Sequence, residues 1–197
     1  MENLKNITLY FVRHGETDWN LARRLQGATD IPLNDTGRAQ AARNGRALAD
    51  LDVNWSQFDF HASPLSRAAE TMKIVREQIG AAAAEPTYHE DLQEGAFGTW
   101  EGRTWADIAR EDPEPHRTFT EKGWHEAPHG GETYGDIAER LKAWAKTLNR
   151  DTVAVSHGGV SRVLRCLYLE MDTAEVMSLP TPQSKYFRFA NGQVDTL

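Results

Sequence analysis

Arg13 and His14 stand together at the end of an apolar run, in "LYFVRHGETDWN" (9–20). Arg67 follows a Ser63-Pro64 pair in "SPLSRAAET" (63–71), and His157 stands in "VSHGG" (155–159). Two guanidinium groups and two imidazoles suit a small anion, because the planar fork of arginine matches phosphate oxygens. A neutral imidazole is also a nucleophile towards phosphorus. Neighbouring arginine charges lower its pKa and so keep it neutral. The same charges would repel a cation, which argues against a metal centre built on His14 and His157. Phosphoryl transfer further needs an acid to protonate the leaving oxygen. "DLQEGAFGTWEG" (91–102) offers Asp91, Glu94 and Glu101, and spacing alone does not choose among them. Each residue taken singly is what any surface arginine or structural histidine would be. Their common placement after separate strands is what points to a site, and Gly15, Gly158 and Gly159 allow backbone to approach a ligand there.

Convergence requires the preceding elements to be strands of one sheet. "ITLYFV" (7–12) is β-branched and aromatic and reads as a strand. A loop over 21–34 follows, and Asn34 caps a helix through 35–50. "QFDFHAS" (57–63) is a second strand, after which Ser63 as N-cap and Pro64 as first helical residue open a helix ending at Gly80. A third short strand falls in 86–92. Tyr134, Ile137, Ala138, Leu141, Trp144, Ala145 and Leu148 form a helical stripe read as core. The run 151–159 is a strand buried on both faces, followed by the helix "VSRVLRCLYLEM". Two alternating runs around Asn191-Gly192 read as a hairpin. Strands alternating with helices predict an α/β fold of three layers, α/β/α, with a mostly parallel central sheet. In such a sheet, ligands bind beyond the carboxyl ends of the strands, where helix N-termini add N–H donors.

Residues 95–130 break this rhythm. They hold Trp100, Trp105 and Trp124, and only a short helix around 102–111, ending before Pro113, is expected. The stretch reads as a small cap inserted into a single domain of 1–197. Phe97, Trp100, Trp105, His116, Arg117, Trp124 and His125 are the candidates to line its entrance.

The chain has 197 residues, 40% of them hydrophobic and 26% charged, which is a globular composition. Its net charge of −7 argues against a nucleic-acid surface but leaves room for a local basic pocket. Cys166 is the one cysteine, and its apolar helical setting makes it a core residue. No leader signature and no bilayer-length apolar run is present, so a cytoplasmic protein is expected, without a membrane or nucleic-acid partner. Monomer and homodimer both remain open.

Six blocks carry a resemblance: "VRHGETDWN", "GATDIPLNDTG", "SPLSRAAET", "LQEGAFGTWEG", "GGETYGDI" and "VSHGG". In this order, from residue 7 to about 165, the chain resembles the histidine phosphatase superfamily, the phosphoglycerate mutase-like group, and within it the small bacterial phosphatases. The resemblance implies that His14 is the nucleophile that becomes transiently phosphorylated. It implies that Arg13, Arg67 and His157 complete the phosphate pocket and that Glu94 is the general acid. Asn20 and Gln26 take the places of further phosphate contacts, and Gly158 of a backbone donor. Glu16 and Thr17 look like support behind the pocket. No metal and no organic cofactor are implied, and the partner is a small-molecule phosphate ester.

Phosphoglycerate mutases of the group carry an inserted Arg-Arg pair that holds a carboxylate. The corresponding stretch here, 110–132, is short and has no such pair; Arg117 stands alone, beside His116. Net hydrolysis by a metal-independent phosphatase is therefore the expectation. The alternatives are a mutase-type phosphoryl transferase, a phospho-ligand binding module that has lost catalysis, and, last, a metal hydrolase.

Overall fold

A computed structural model describes residues 1–80 and 82–197. In chain order its elements are α1 (Glu2–Lys5), β1 (Leu9–Arg13), α2 (Asp18–Leu21), α3 (Asp35–Ala49), β2 (Asp59–Ala62), α4 (Ser66–Ile79), β3 (Thr87–Tyr88), α5 (Trp105–Glu111), α6 (Pro113–Lys122), α7 (Tyr134–Thr147), β4 (Thr152–Ser156), α8 (Gly158–Tyr168), β5 (Tyr186–Ala190) and β6 (Gln193–Thr196). The six strands form one sheet in the order β3-β2-β4-β1-β5-β6. β1 to β4 run parallel to one another, while the hairpin β5–β6 joins antiparallel.

Alternation along β1 explains the layers. Tyr10 and Val12 join Phe60, Val153 and Val155 in an apolar cluster with Leu48 of α3 and Met72 and Val75 of α4. Leu9 and Phe11 face the other way, into a cluster with Leu141 and Trp144 of α7 and Val163 and Leu164 of α8. Successive strand residues point to opposite faces, so helices cover the sheet on both sides. Each fully buried Leu, Val or Phe contributes roughly 1.5–3 kcal/mol. The hairpin, the α3 cap at Asn34 and the helical stripe of α7 lie where the sequence places them. Cys166 is buried.

Four readings are corrected. Ser63 is not a helix cap: α4 begins at Ser66, and its first amide is capped from a distant loop by Asp30, whose Oδ1 accepts from Ser66 N at 2.9 Å. Pro113 ends α5 but also opens α6, because proline fits the first helical position, where its missing N–H leaves no bond unmade. The short helix α1 precedes β1, which starts at Leu9 rather than at residue 7. The third strand is only Thr87–Tyr88, an exposed edge, and the remainder of 86–92 turns away in a 3-10 helix.

The inserted stretch is not separate from the main core. Trp100, Ile108 and Phe119 are buried in the same cluster as α7 and α8. Phe119 packs on Tyr134 with ring centroids 5.5 Å apart, and Trp100 meets Phe119 edge-on at 5.7 Å.

Candidate active site

Strand register assembles the site. Arg13 of β1 pairs with Ser156 of β4, and Ala62 of β2 pairs with Val155. The three strands therefore end side by side. His14 N donates to Ser156 O at 2.9 Å and Ser63 N to Val155 O at 3.0 Å. The next residues are His14 and His157, whose ring centroids lie 5.1 Å apart. The turn after β1 packs directly on the start of α3. A Cβ on Gly15 would stand 2.2 Å from Gly37 O, and one on Gly37 would stand 2.1 Å from Glu16 O. No side chain fits at either position.

His14 is 2% exposed, and its Nδ1 lies 2.7 Å from Gly15 O. A carbonyl only accepts, so Nδ1 carries the proton and Nε2 holds the free lone pair. Burial, then the charges of Arg13 and Arg67, hold the pKa of His14 well below its ordinary value. The imidazole is thus neutral and its tautomer is set. His157 is likewise pushed well down, by burial and then by Arg67. Its Nε2 meets Ser63 Oγ at 2.8 Å, and Ser63 Oγ also accepts from Leu65 N at 3.3 Å. With the Ser63 hydroxyl donating to His157 Nε2, Nδ1–H of His157 is a free donor.

Arg67 is fully buried and is held by two backbone carbonyls, Thr29 O and Gly27 O, each at 2.8 Å. Arg13 donates through Nη1 to Thr181 O and, at 3.2 Å, to Thr181 Oγ1. Burial lowers its pKa to about 10, and Glu94 pulls the other way. Among the described residues, three buried nitrogens at this centre have no hydrogen-bond partner: Arg13 Nε, Arg67 Nε and His157 Nδ1. An unsatisfied buried donor costs about 1–3 kcal/mol, and an oxyanion bound among them would recover that cost.

Polar neighbours are oriented around this centre. Asn20 Oδ1 accepts from Thr17 N at 3.2 Å and from Gln183 Nε2 at 3.0 Å. Backbone N–H is only a donor, so the Asn20 amide orientation follows, with Nδ2 left to donate. Gln26 Oε1 accepts from Thr17 Oγ1 at 2.9 Å, which leaves the Gln26 Nε2 protons available. Glu16 accepts from Asn34 and so ties the turn to the cap of α3.

The three acids separate clearly. Glu101 is a backbone clamp, with Oε1 accepting from Ala28 N and Phe97 N, each at 3.0 Å. Asp91 does not line the cleft, and its carbonyl binds Arg140. Glu94 lines the cleft, with Oε2 accepting from Gly159 N at 3.0 Å. The helix amide in use is thus that of Gly159; Gly158 lines the cleft beside Arg13. A Cβ on Gly159 would lie 2.6 Å from Glu94 Oε1.

The cleft, of about 200 Å³, is lined by Arg13, His14, Asn20, Gln26, Arg67 and Glu94 together with residues that the sequence reading missed. These include Arg24, Arg162, Tyr134 and Thr181. Arg162 had a signal: it follows Gly158 by one helical turn and shares its face. Thr181 and Gln183, on the segment between α8 and β5, had none. Of the entrance candidates, Phe97 and Trp105 line the cleft. Trp100 is core, His116 packs edge-on against Trp105, and Arg117 is ion-paired with Glu114 at the surface. Trp124 and His125 line a different, smaller groove. Among the described residues no group of three or more His, Cys, Asp or Glu is placed to hold a metal ion. No helix is long and apolar enough to cross a membrane among them.

Comparison with known proteins gives the family and the fold. Residues 9–190 match the family model of the histidine phosphatase superfamily (branch 1). The chain is 31% identical over 180 residues to the glucosyl-3-phosphoglycerate phosphatase of Mycobacterium tuberculosis, covering 84% of this chain and 77% of that one. It is 33% identical over 173 residues to a metal-independent phosphoserine phosphatase of Arabidopsis thaliana, covering 84% and 69%. Its fold superposes on the solved structure of Bacillus stearothermophilus YhfR with a TM-score of 0.79 and 31% identity, over 96% of this chain and 95% of that one.

Proposed function

The chain belongs to the histidine phosphatase superfamily (branch 1), and we propose that it is a metal-independent phosphomonoester hydrolase that works through a phosphohistidine on a small phosphorylated metabolite. The observation that carries the reading is the trio of partnerless buried donors, Arg13 Nε, Arg67 Nε and His157 Nδ1, beside a neutral imidazole. Both named relatives are phosphatases of small phosphorylated molecules.

The geometry supports the following chemistry. His14 Nε2 attacks phosphorus in line with the ester oxygen. The P–N bond forms as the P–O bond breaks, and Glu94 gives its proton to the departing alkoxide. Arg13, Arg67 and His157 bind the equatorial oxygens, where charge concentrates and where fixed donors stabilise the transition state most. Asn20 and Gln26 supply two further amide donors. In the second half, Glu94 takes a proton from water, the oxygen attacks phosphorus, and the P–N bond breaks. Inorganic phosphate leaves, His14 is neutral again and Glu94 has recovered its proton. The carbonyl of Gly15 stabilises the positive charge that His14 carries while phosphorylated.

The expected result with a panel of phosphomonoesters is phosphate release that persists with a chelator present and drops at least about 10³-fold in His14→Ala, the scale on which loss of a nucleophile acts. Rapid acid-free quenching should trap an acid-labile phosphoprotein in the wild type only. Turnover that survives in His14→Ala would remove the nucleophile assignment. Conservation of the phosphoester in a rearranged product would instead favour the mutase reading.

A further inference from the structure

The cleft carries more positive charge than one phosphoryl group uses. Arg13 and Arg67, with His157, suffice to surround it. Yet Arg24 and Arg162 line the same cleft, and among the described residues Glu94 is the one carboxylate that does so. Elsewhere the arginines of this acidic protein are mostly matched: Arg103 pairs with Glu111 and Asp112, Arg110 with Asp107 and Glu111, and Arg150 with Asp59. Arg24 and Arg162 make no such pair among the described residues.

Arg162 is half-buried and Arg24 is exposed, yet both are held by backbone carbonyls. Arg162 Nε donates to Leu179 O at 2.9 Å, and Arg24 Nη1 donates to Gly102 O at 2.6 Å. Each guanidinium is thereby anchored with donors to spare. Arginine offers five N–H groups, so at least one edge of the fork stays open. Leu25, Phe97 and Trp105 line the same cleft and supply apolar wall for a short carbon skeleton. The charge of Arg162 depresses the pKa of Arg13, against the opposite pull of Glu94, so the arginines of the cleft repel one another. An anionic ligand group relieves that repulsion.

We propose that Arg162 and Arg24 form a second anion subsite, so that the substrate is a small phosphomonoester carrying a further anionic group, a carboxylate or another phosphate, on the same short carbon skeleton. The inference deepens the phosphatase reading and rests on it. It also answers the absence of an Arg-Arg pair from the inserted stretch: the cations come from the loop before Gln26 and from α8 instead.

Two pairs of esters test it: 3-phosphoglycerate against glycerol 3-phosphate, and fructose 1,6-bisphosphate against fructose 6-phosphate. Within each pair one member has lost the second anionic group. The wild type should favour the more anionic member by at least tenfold in kcat/KM in one pair, and which pair responds identifies a carboxylate or a phosphate. In Arg162→Gln, and more weakly in Arg24→Gln, that ratio should collapse towards one. Equal losses for both members would mean that these arginines grip the transferring phosphoryl group itself, and a wild-type ratio near one in both pairs would equally overturn the subsite. If no ester is hydrolysed, the phosphatase reading fails separately. The same pairs are then titrated calorimetrically: a tenfold binding preference abolished in Arg162→Gln keeps the subsite, and no preference removes it.

Discussion

At the residue scale, the site is a set of hydrogen bonds that leave selected atoms free. Gly15 O accepts a hydrogen bond from His14 Nδ1, Ser63 orients His157, and Thr17 turns two amides towards the cleft. Gln183 belongs to this set, although nothing in its sequence neighbourhood marks it. Its Nε2 donates to His14 O at 3.2 Å as well as to Asn20 Oδ1. Its own carbonyl is held by Asn44 Nδ2 at 3.1 Å. Gln183→Leu removes both donors while keeping the bulk. Each hydrogen bond is worth about 0.5–1.5 kcal/mol, so the loss of both should lower kcat/KM roughly 5- to 100-fold and the melting temperature by a few degrees. A change of less than twofold would show that Asn20 is positioned without it.

At the element scale, function depends on how closely the turn after β1 approaches α3. Gly15 and Gly37 meet backbone to backbone, and the positions of His14 and of the capped helix start are set together. Gly37→Ala would drive a methyl group into Glu16 O. Overpacking of this kind costs typically 1–3 kcal/mol, and the displaced turn carries His14. A melting temperature several degrees lower together with a loss of activity is expected. An unchanged melting temperature would show that the turn yields freely. The same scale explains the inserted stretch. α5 is fixed by a capping box between Thr104 and Asp107, and Arg103 ties its end through Glu111 and Asp112. That framing holds Trp105 at the cleft, while Trp100 packs inward.

At the scale of the whole molecule, buried neutral histidines make stability depend on pH. His61 Nδ1 accepts from Trp144 Nε1 at 3.1 Å, which joins β2 to α7. Burial, and then His89 at a ring distance of 4.5 Å, lower its pKa to about 4, against a weaker opposite pull from Asp59. A folded-state pKa below the unfolded value means that the unfolded chain binds more protons. The contribution of His61 is therefore complete above about 6.5 and is lost as pH falls towards about 4. His14 and His157 act with the same sign. The melting temperature should fall across this window, and less steeply in His61→Gln; identical slopes would assign the effect to other groups. The alternation of elements, the strand ends carrying Arg13, His14 and His157, the Asn34 cap and the hairpin were all legible in the sequence, because each rests on neighbours a few residues apart. Six ordered blocks also made the family legible. Other features were decided by partners far along the chain. Asp30 caps α4 across 36 residues, Ser63 serves His157 across 94, and Gln183 reaches His14 across 169. Glu101 and Glu94 are equivalent as letters, and only the fold makes one a clamp and exposes the other to the cleft. Side-chain type and local spacing determined what chemistry this protein can hold. The tertiary structure decided which atoms are left free to perform it, because a hydrogen-bond partner is a fact of space and not of sequence.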